Sequence, residues 1–267
     1  MTRQELVAQI KSKKSYLCVG LDTDIQKIPK HLLSSADPIF EFNKQIIDAT
    51  LPYTVSYKIN TAFYEAMGSK GWEILEKTAA YLPKETFRIA DAKRGDIGNT
   101  TDMYAKAFFE NMDFDAVTIA PYMGADSITP FLKYEGKWSI LLALTSNGSS
   151  ADFQLQKLDN GTELYKQVLA TTSKLGTSSN TMYVIGATKA EALTEIRKIV
   201  GEHFLLIPGV GAQGGSLKEV SELGMNTDCG LLINSSRNII YASSGEDFAQ
   251  AAANVAKEMQ AEMALYL

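Results

Sequence analysis

The chain is poor in the residues that metal sites and oxidising compartments draw on. It has two cysteines and two histidines among 267 residues, and no C-x-x-C pair. Cys18 and Cys229 lie far apart. Such a supply is too small for a Cys/His zinc site, so no metal is expected. It also gives no disulfide framework, and reduced thiols in a cytoplasmic protein are the simple expectation. Long apolar runs are missing too. Ile140–Leu144 is among the longest, against the ~20 residues a membrane-spanning helix needs. Met1 to Ser15 is polar and cationic with no apolar centre, unlike a secretory signal. Positive charge is not in excess: the net charge is −5 and the pI about 5.2. That argues against nucleic acid or an anionic membrane as partner, and leaves room for a local cationic pocket. There is no Walker A sequence, HExxH, strand–GxGxxG–helix unit or nucleophile elbow, so no organic cofactor is expected.

The remaining composition is that of an ordinary globular protein able to bury a large core, 45% hydrophobic and 21% charged. Short apolar runs recur, each ending in polar residues and followed by a helical stretch. They fall at Tyr16–Asp22, Thr54–Asn60, Phe87–Lys93, Asp115–Pro121, Ser139–Thr145, Thr181–Ala187, Phe204–Val210 and Gly230–Arg237. These are expected to be strands buried on both faces. Helices are expected within Phe40–Ala49, Trp72–Tyr81, Thr101–Glu110, Glu163–Leu175, Ala190–Val200 and Glu246–Met263. Capping boxes are expected at Thr2/Glu5, Thr188/Glu191 and Ser216/Glu219. Strict strand–helix alternation implies a parallel sheet. Eight units in a chain near the ~250 residues typical of an α/β barrel favour a closed (β/α)8 TIM barrel. No linker interrupts residues 1–267, so one domain is expected. The polar stretch Ser146–Gly161 is either a tolerated insertion or a lid over the mouth.

In such a barrel the strand C-termini form the reactive rim. The rim residues here are Asp22, Lys58, Asn60, Asp91, Lys93, Thr145 and Arg237. Asp91 and Lys93, two apart on one strand, should share a face. Asp96 follows in a loop that Gly95 and Gly98 allow to turn, with Asn99 or Thr100 capping the next helix. With Lys58 on the neighbouring strand, an alternating array of Lys58, Asp91, Lys93 and Asp96 is expected. Flanking carboxylates keep a lysine charged, and its ammonium can meet negative charge developing on a substrate carbon. Asp91 would repel a substrate carboxylate, and a reaction that expels it would relieve the repulsion. The bland alternative is an ion-pair network that only ties strand ends together. After the seventh strand, Pro208-Gly209-Val210-Gly211-Ala212-Gln213-Gly214-Gly215 reads as an anion-binding loop or a tight turn. Arg237, after Asn234-Ser235-Ser236, adds a guanidinium fork suited to phosphate.

These residues together resemble the orotidine 5′-phosphate decarboxylase family. The hallmark D-x-K-x-x-D-I-x-N is matched by DAKRGDIGN at Asp91–Asn99. GLD at Gly20–Asp22, YKIN at Tyr57–Asn60, PGVG at Pro208–Gly211 and the arginine after the eighth strand extend the match over essentially the whole chain. LTSNGSSADFQ at Leu144–Gln154 resembles the longer bacterial branch.

The resemblance implies conversion of orotidine 5′-phosphate to UMP and CO2, the last step of pyrimidine nucleotide synthesis, without metal or cofactor. It implies Lys93 as proton donor to C6, Asp91 crowding the departing carboxylate, and Lys58 and Asp22 at the ribose hydroxyls. Asp96 and Ile97 would reach the partner's site in a homodimer with shared active sites. Thr145 or Ser146 would contact the pyrimidine, and Arg237 and Gln213 the phosphate. Asn60, Thr100, Pro208, Gly209 and Gly211 complete the expected substrate contacts. Three rivals stand beside this reading. They are a metal-using sugar-phosphate decarboxylase or epimerase, a Schiff-base aldolase on Lys58 or Lys93, and a non-catalytic phosphate-binding barrel. Flanking aspartates oppose the second, because a Schiff-base lysine needs a lowered pKa. The third has no need of alternating charges.

Overall fold

The computed structural model describes residues 1–211 and 214–267. Eight parallel strands close into a barrel in sequence order. They are β1 (Leu17–Leu21), β2 (Ser56–Asn60), β3 (Phe87–Arg94), β4 (Ala116–Ile119), β5 (Trp138–Leu144), β6 (Thr181–Ile185), β7 (Phe204–Pro208) and β8 (Leu231–Ser235). The expected (β/α)8 fold is therefore the observed one. The strands read as apolar runs because a parallel barrel buries both faces; β1, β4, β6 and β8 are buried throughout.

Around them run α1 (Arg3–Lys13), α2 (Pro38–Thr50), α3 (Ala62–Glu65), α4 (Ser69–Tyr81), α5 (Gly98–Lys106), α6 (Thr129–Leu132), α7 (Leu164–Thr172), α8 (Leu193–Val200), α9 (Leu217–Gly224), α10 (Arg237–Ile240) and α11 (Phe248–Met263). Among the described residues no helix is long and apolar enough to cross a membrane. The outer ring closes on itself where α2 meets α11, with Phe42 stacked on Phe248 at 5.1 Å.

Which end of the barrel is open follows from the aromatic residues. Phe87, Trp138 and Phe204 each begin a strand, and Trp138 meets the other two edge-on at 5.7 and 6.2 Å. α1 lies beneath this plug. Its Thr2/Glu5 capping box forms in both directions, and Arg3 sits over the Phe204 ring while donating to the carbonyls of Ser178 and Glu202. The N-terminal end is thus sealed, and the polar strand ends face the open mouth.

Several local expectations are corrected. The helix after β3 is capped at Ile97 and begins at Gly98, so Asn99 and Thr100 lie inside it. Gly98 has φ +57° and makes the turn itself. Thr188 caps nothing: Ala187–Ala192 is a 3-10 segment kinked at Lys189, and α8 starts only at Leu193. Ser216 does cap α9, accepting from the Glu219 amide. β8 stops at Ser235, and Arg237 opens α10 instead of closing the strand. The Ser146–Gly161 stretch folds over the end of β5. Gln154 accepts the Thr145 amide at 2.7 Å, which ties the stretch to the rim.

Candidate active site

A cavity of about 230 Å³ occupies the open end of the barrel, lined by residues from or just after all eight strands. Its floor carries the charges. Lys58 rises from the middle of β2, and only 6% of its side chain is exposed. A buried ammonium is tolerable only when paired. Its Nζ donates to Asp91 Oδ2 at 2.7 Å, and Asp22 Oδ1 lies 3.8 Å away. Lys93 approaches the other oxygen: Nζ donates to Asp91 Oδ1 at 2.6 Å. Half of the Lys93 side chain is exposed at the mouth. Burial by itself would raise the Asp91 carboxyl, but Lys58 and Lys93 override it and hold Asp91 well below the usual carboxylate range. Burial would likewise lower Lys58, but Asp91 and then Asp22 outweigh it and push the ammonium above its ordinary value. Both groups are therefore charged at neutral pH.

Strand alternation explains only part of this meeting. Lys93 has φ +47°, in the left-handed region that side chains other than glycine seldom occupy. The register of β3 with β4 shifts between Ala90 and Arg94. Arg94 pins the strand exit, pairing with Glu65 of α3 and lying over Tyr104 and Phe108 at 5.4 and 5.5 Å.

The structure brings together Asp22, Lys58, Asn60, Asp91, Lys93, Thr145, Ser146, Pro208, Gly209 and Arg237 around one cavity. It does not bring Asp96 into the array. Beyond Lys93 the chain leaves the rim, and Asp96 Oδ1 accepts the amide of its own neighbour Ile97. The fourth charge of the cluster is Asp22, which follows β1 directly because the strand ends at Leu21. Ile97 and Thr100 are exposed, and they and Gly211 lie outside the cavity lining. Gln213 lies outside the described residues. Gly209, Gly211 and Gly214 all have positive φ, so the loop after β7 takes a path that other residues would strain. A Cβ at Gly186 would fall 2.6 Å from the Ser146 amide, so glycine there lets the loops after β5 and β6 touch at the rim.

Sequence reading overlooked Thr118 of β4. Its hydroxyl accepts from the Lys93 amide at 2.9 Å and donates to Asp91 Oδ1 at 3.0 Å. The one available signal was a hydroxyl inside the otherwise apolar Ala116–Ile119. Leu142, Val184 and Leu206, which form an apolar wall of the cavity, gave none, because such residues in a strand look like core. Asn234, Ser235 and Ser236 complete the wall beside Arg237. Among the described residues no three His, Cys, Asp or Glu side chains are grouped to hold a metal.

Comparison with known proteins gives one family. Residues 15–254 match the model of the orotidine 5′-phosphate decarboxylase / HUMPS family. A Flavobacterium johnsoniae orotidine 5′-phosphate decarboxylase is 62% identical over 99% of this chain and 97% of its own length. The Phocaeicola vulgatus protein of the same name is 60% identical over 98% of each. Among solved structures, Leishmania donovani OMP decarboxylase superposes with a TM-score of 0.83 at 34% identity, covering 98% of this chain and 99% of its own.

Proposed function

Because the chain belongs to the orotidine 5′-phosphate decarboxylase / HUMPS family, we propose that it converts orotidine 5′-phosphate to UMP and CO2 in the cavity just described. The observation that carries this reading is the pair of lysines holding one ionised aspartate at the mouth, Lys58–Asp91–Lys93. A substrate carboxylate placed beside Asp91 meets a like charge that cannot escape by protonation. Breaking the C6–carboxylate bond removes that repulsion and leaves the electron pair on C6. The Lys93 ammonium is free on its exposed side to face that carbon, stabilise the developing charge and deliver its proton to C6. The neutral amine then regains a proton from solvent. Lys58, locked between Asp91 and Asp22, keeps its charge and orients the array, with Asp22 and Asn60 turned to the ribose. Thr145 and Ser146 serve the pyrimidine edge. Arg237 and the amides after β7 hold the phosphate, whose binding energy, remote from C6, drives closure and desolvation.

The active sites are shared in a homodimer in the cytosol, where Cys18 and Cys229 stay as separate buried thiols. What supports the dimer is the apolar surface beside the site. Ile97 is 54% exposed and Tyr122 89%, with Met103 and Met123 also exposed. Ile97 and Met103 lie at the start of and within α5, and Tyr122 and Met123 in the turn that follows β4. Asp96 and Ile97, which do not reach their own cavity, are then placed to reach the partner's.

The test is the absorbance change of orotidine 5′-phosphate on adding purified protein, before and after EDTA and exhaustive dialysis. Turnover unaffected by dialysis is expected. Unconsumed substrate, or turnover that returns only with a divalent metal, would move the chain toward the metal-using sugar-phosphate relatives.

A further inference from the structure

Thr118 closes a ring of hydrogen bonds through the two residues that carry the chemistry. The Lys93 amide donates to Thr118 Oγ1, Thr118 Oγ1 donates to Asp91 Oδ1, and Lys93 Nζ donates to the same Asp91 oxygen. One hydroxyl is thus acceptor to the backbone and donor to the side chain of a single catalytic unit. Its direction is not arbitrary: the amide can only donate and the ionised carboxylate can only accept, so the hydroxyl proton must point at Asp91. Thr118 is fully buried in β4, on the strand next to β3. Its branched side chain holds one rotamer better than serine would.

The ring encloses the strained point of the site. Lys93 lies at φ +47°, and this conformation turns its amide toward β4 while its side chain returns to Asp91. Strained backbone of this kind persists only where surrounding contacts over-determine it. Lys93 has no regular strand partner on β4, since the pairing jumps from Ala90–Val117 to Arg94–Ile119. The hydroxyl of Thr118 stands in for the missing ladder bond.

We propose that Thr118 is a positioning residue for decarboxylation: it fixes the left-handed backbone of Lys93 and the rotation of the Asp91 carboxylate together, so that ammonium and carboxylate present one geometry to the substrate. This inference rests on the decarboxylation reading. Thr118 itself acts through Asp91 and Lys93. Its loss strands a buried amide and lets the carboxylate turn, and both change where the proton is delivered more than how the nucleotide binds.

The experiment compares Thr118→Val, which keeps the shape and removes both bonds, with Thr118→Ser, which keeps the hydroxyl. Steady-state kinetics, UMP affinity and a crystal structure are measured for each. For Thr118→Val, kcat is expected to fall roughly 10- to 100-fold, the size of one charge-assisted hydrogen bond. KM and UMP affinity should stay within about threefold, the split expected when only transition-state interactions are lost. Thr118→Ser should recover most of kcat. In the Thr118→Val crystal, Lys93 should leave the left-handed region or its ammonium should leave Asp91. The proposal is overturned by a Thr118→Val enzyme with wild-type kcat, by loss of UMP affinity in step with kcat, by Thr118→Ser as impaired as Thr118→Val, or by an unchanged Lys93 in that crystal. If Thr118→Val does not fold, Thr118→Cys replaces it, since a thiol is a weak donor and acceptor, and the same criteria apply. Wild-type protein that leaves orotidine 5′-phosphate unconsumed defeats the functional reading instead, and the crystal structures alone then decide the role of Thr118.

Discussion

On the β1–β3 side of the cavity the charged groups answer one another inside the protein. Lys58 sits between Asp91 and Asp22, and Asp91 takes both lysines and the Thr118 hydroxyl. Lys58 and Asp91 are buried, Lys93 is half exposed, and Asp22 Oδ1, 3.8 Å from Lys58, is a buried oxygen left without a hydrogen bond among the described residues. On the β7–β8 side the arrangement is the reverse. The Arg237 guanidinium, exposed at the start of α10, has no ion pair among the described residues. The hydroxyls of Ser235 and Ser236 are buried with no hydrogen-bond partner there. One wall is assembled before any substrate arrives, and the other presents donors for a ligand to satisfy. Catalysis by fixed charges needs the first, because groups that reorganise during the reaction lose their advantage. Binding of a dianion needs the second, because donors already paired with protein would have to be freed.

Substitutions should separate the two walls. The largest effect is expected for Lys93→Ala, with kcat reduced by at least ~10²–10³ while UMP still binds. A variant within tenfold of wild type would remove Lys93 from the chemistry. Borohydride with substrate should trap no lysine adduct, and a covalent mass increase would favour Schiff-base chemistry. Mixing Lys93→Ala with Asp96→Ala subunits carries the same logic across the interface. On two-fold symmetry, each mixed dimer has one intact site, so activity returning to about a quarter of all sites is expected. Exchange of subunits without recovery would keep Asp96 within its own chain.

Next in size is the stability of the preassembled wall. Asp91→Ala leaves Lys58 buried with one carboxylate fewer, which should cost ~3–5 kcal/mol in urea unfolding. The pH dependence has a definite sign. The Asp91 carboxyl is depressed in the folded state, so its contribution is complete above its ordinary value of 3.8 and is lost as pH falls through the lower folded value. Lys58 is raised, so its contribution is complete below its ordinary 10.5 and is lost only as pH rises beyond that. Wild type and Asp91→Ala should therefore differ by a constant amount near neutrality and converge in acid. A gap that widens below pH 4 would contradict the ion-pair account.

The smallest effect on the fold belongs to the other wall. Arg237→Ala should change stability by no more than ~0.5 kcal/mol, as for most surface substitutions. It should weaken substrate binding by roughly 1.5–3 kcal/mol, one contact to a charged group. KM should rise and kcat fall together if phosphate drives closure. A substrate without phosphate should be poor with wild type and little worse with the variant. Equal losses on both substrates would make Arg237 a structural residue.

What the sequence determined by itself was whatever depends on local pattern. Eight apolar runs separated by helical stretches imply a parallel sheet covered on both faces, and eight such units in a chain of this length favour its closure into a barrel. Strand-end polarity then marks the rim, and Lys58, Asp91 and Lys93 could be placed there because a charge on an apolar strand is affordable only at an end or with a partner. Caps were legible at Thr2 and Ser216 but not at Thr188 or at Asn99 or Thr100, where the backbone kink at Lys189 and the turn at Gly98 decide the start. Only the tertiary structure decided which carboxylate completes the cluster. Asp22 and Asp96 are equally acidic in sequence, but the parallel register of β1 on β2 sets Asp22, just past β1, beside Lys58, while the path after Lys93 carries Asp96 away. The same holds for Thr118. Its neighbours across the strand gap are set by a register shift and a left-handed backbone, and both arise from how β3 and β4 fit inside a closed barrel, a long-range packing condition that no run of neighbouring residues encodes.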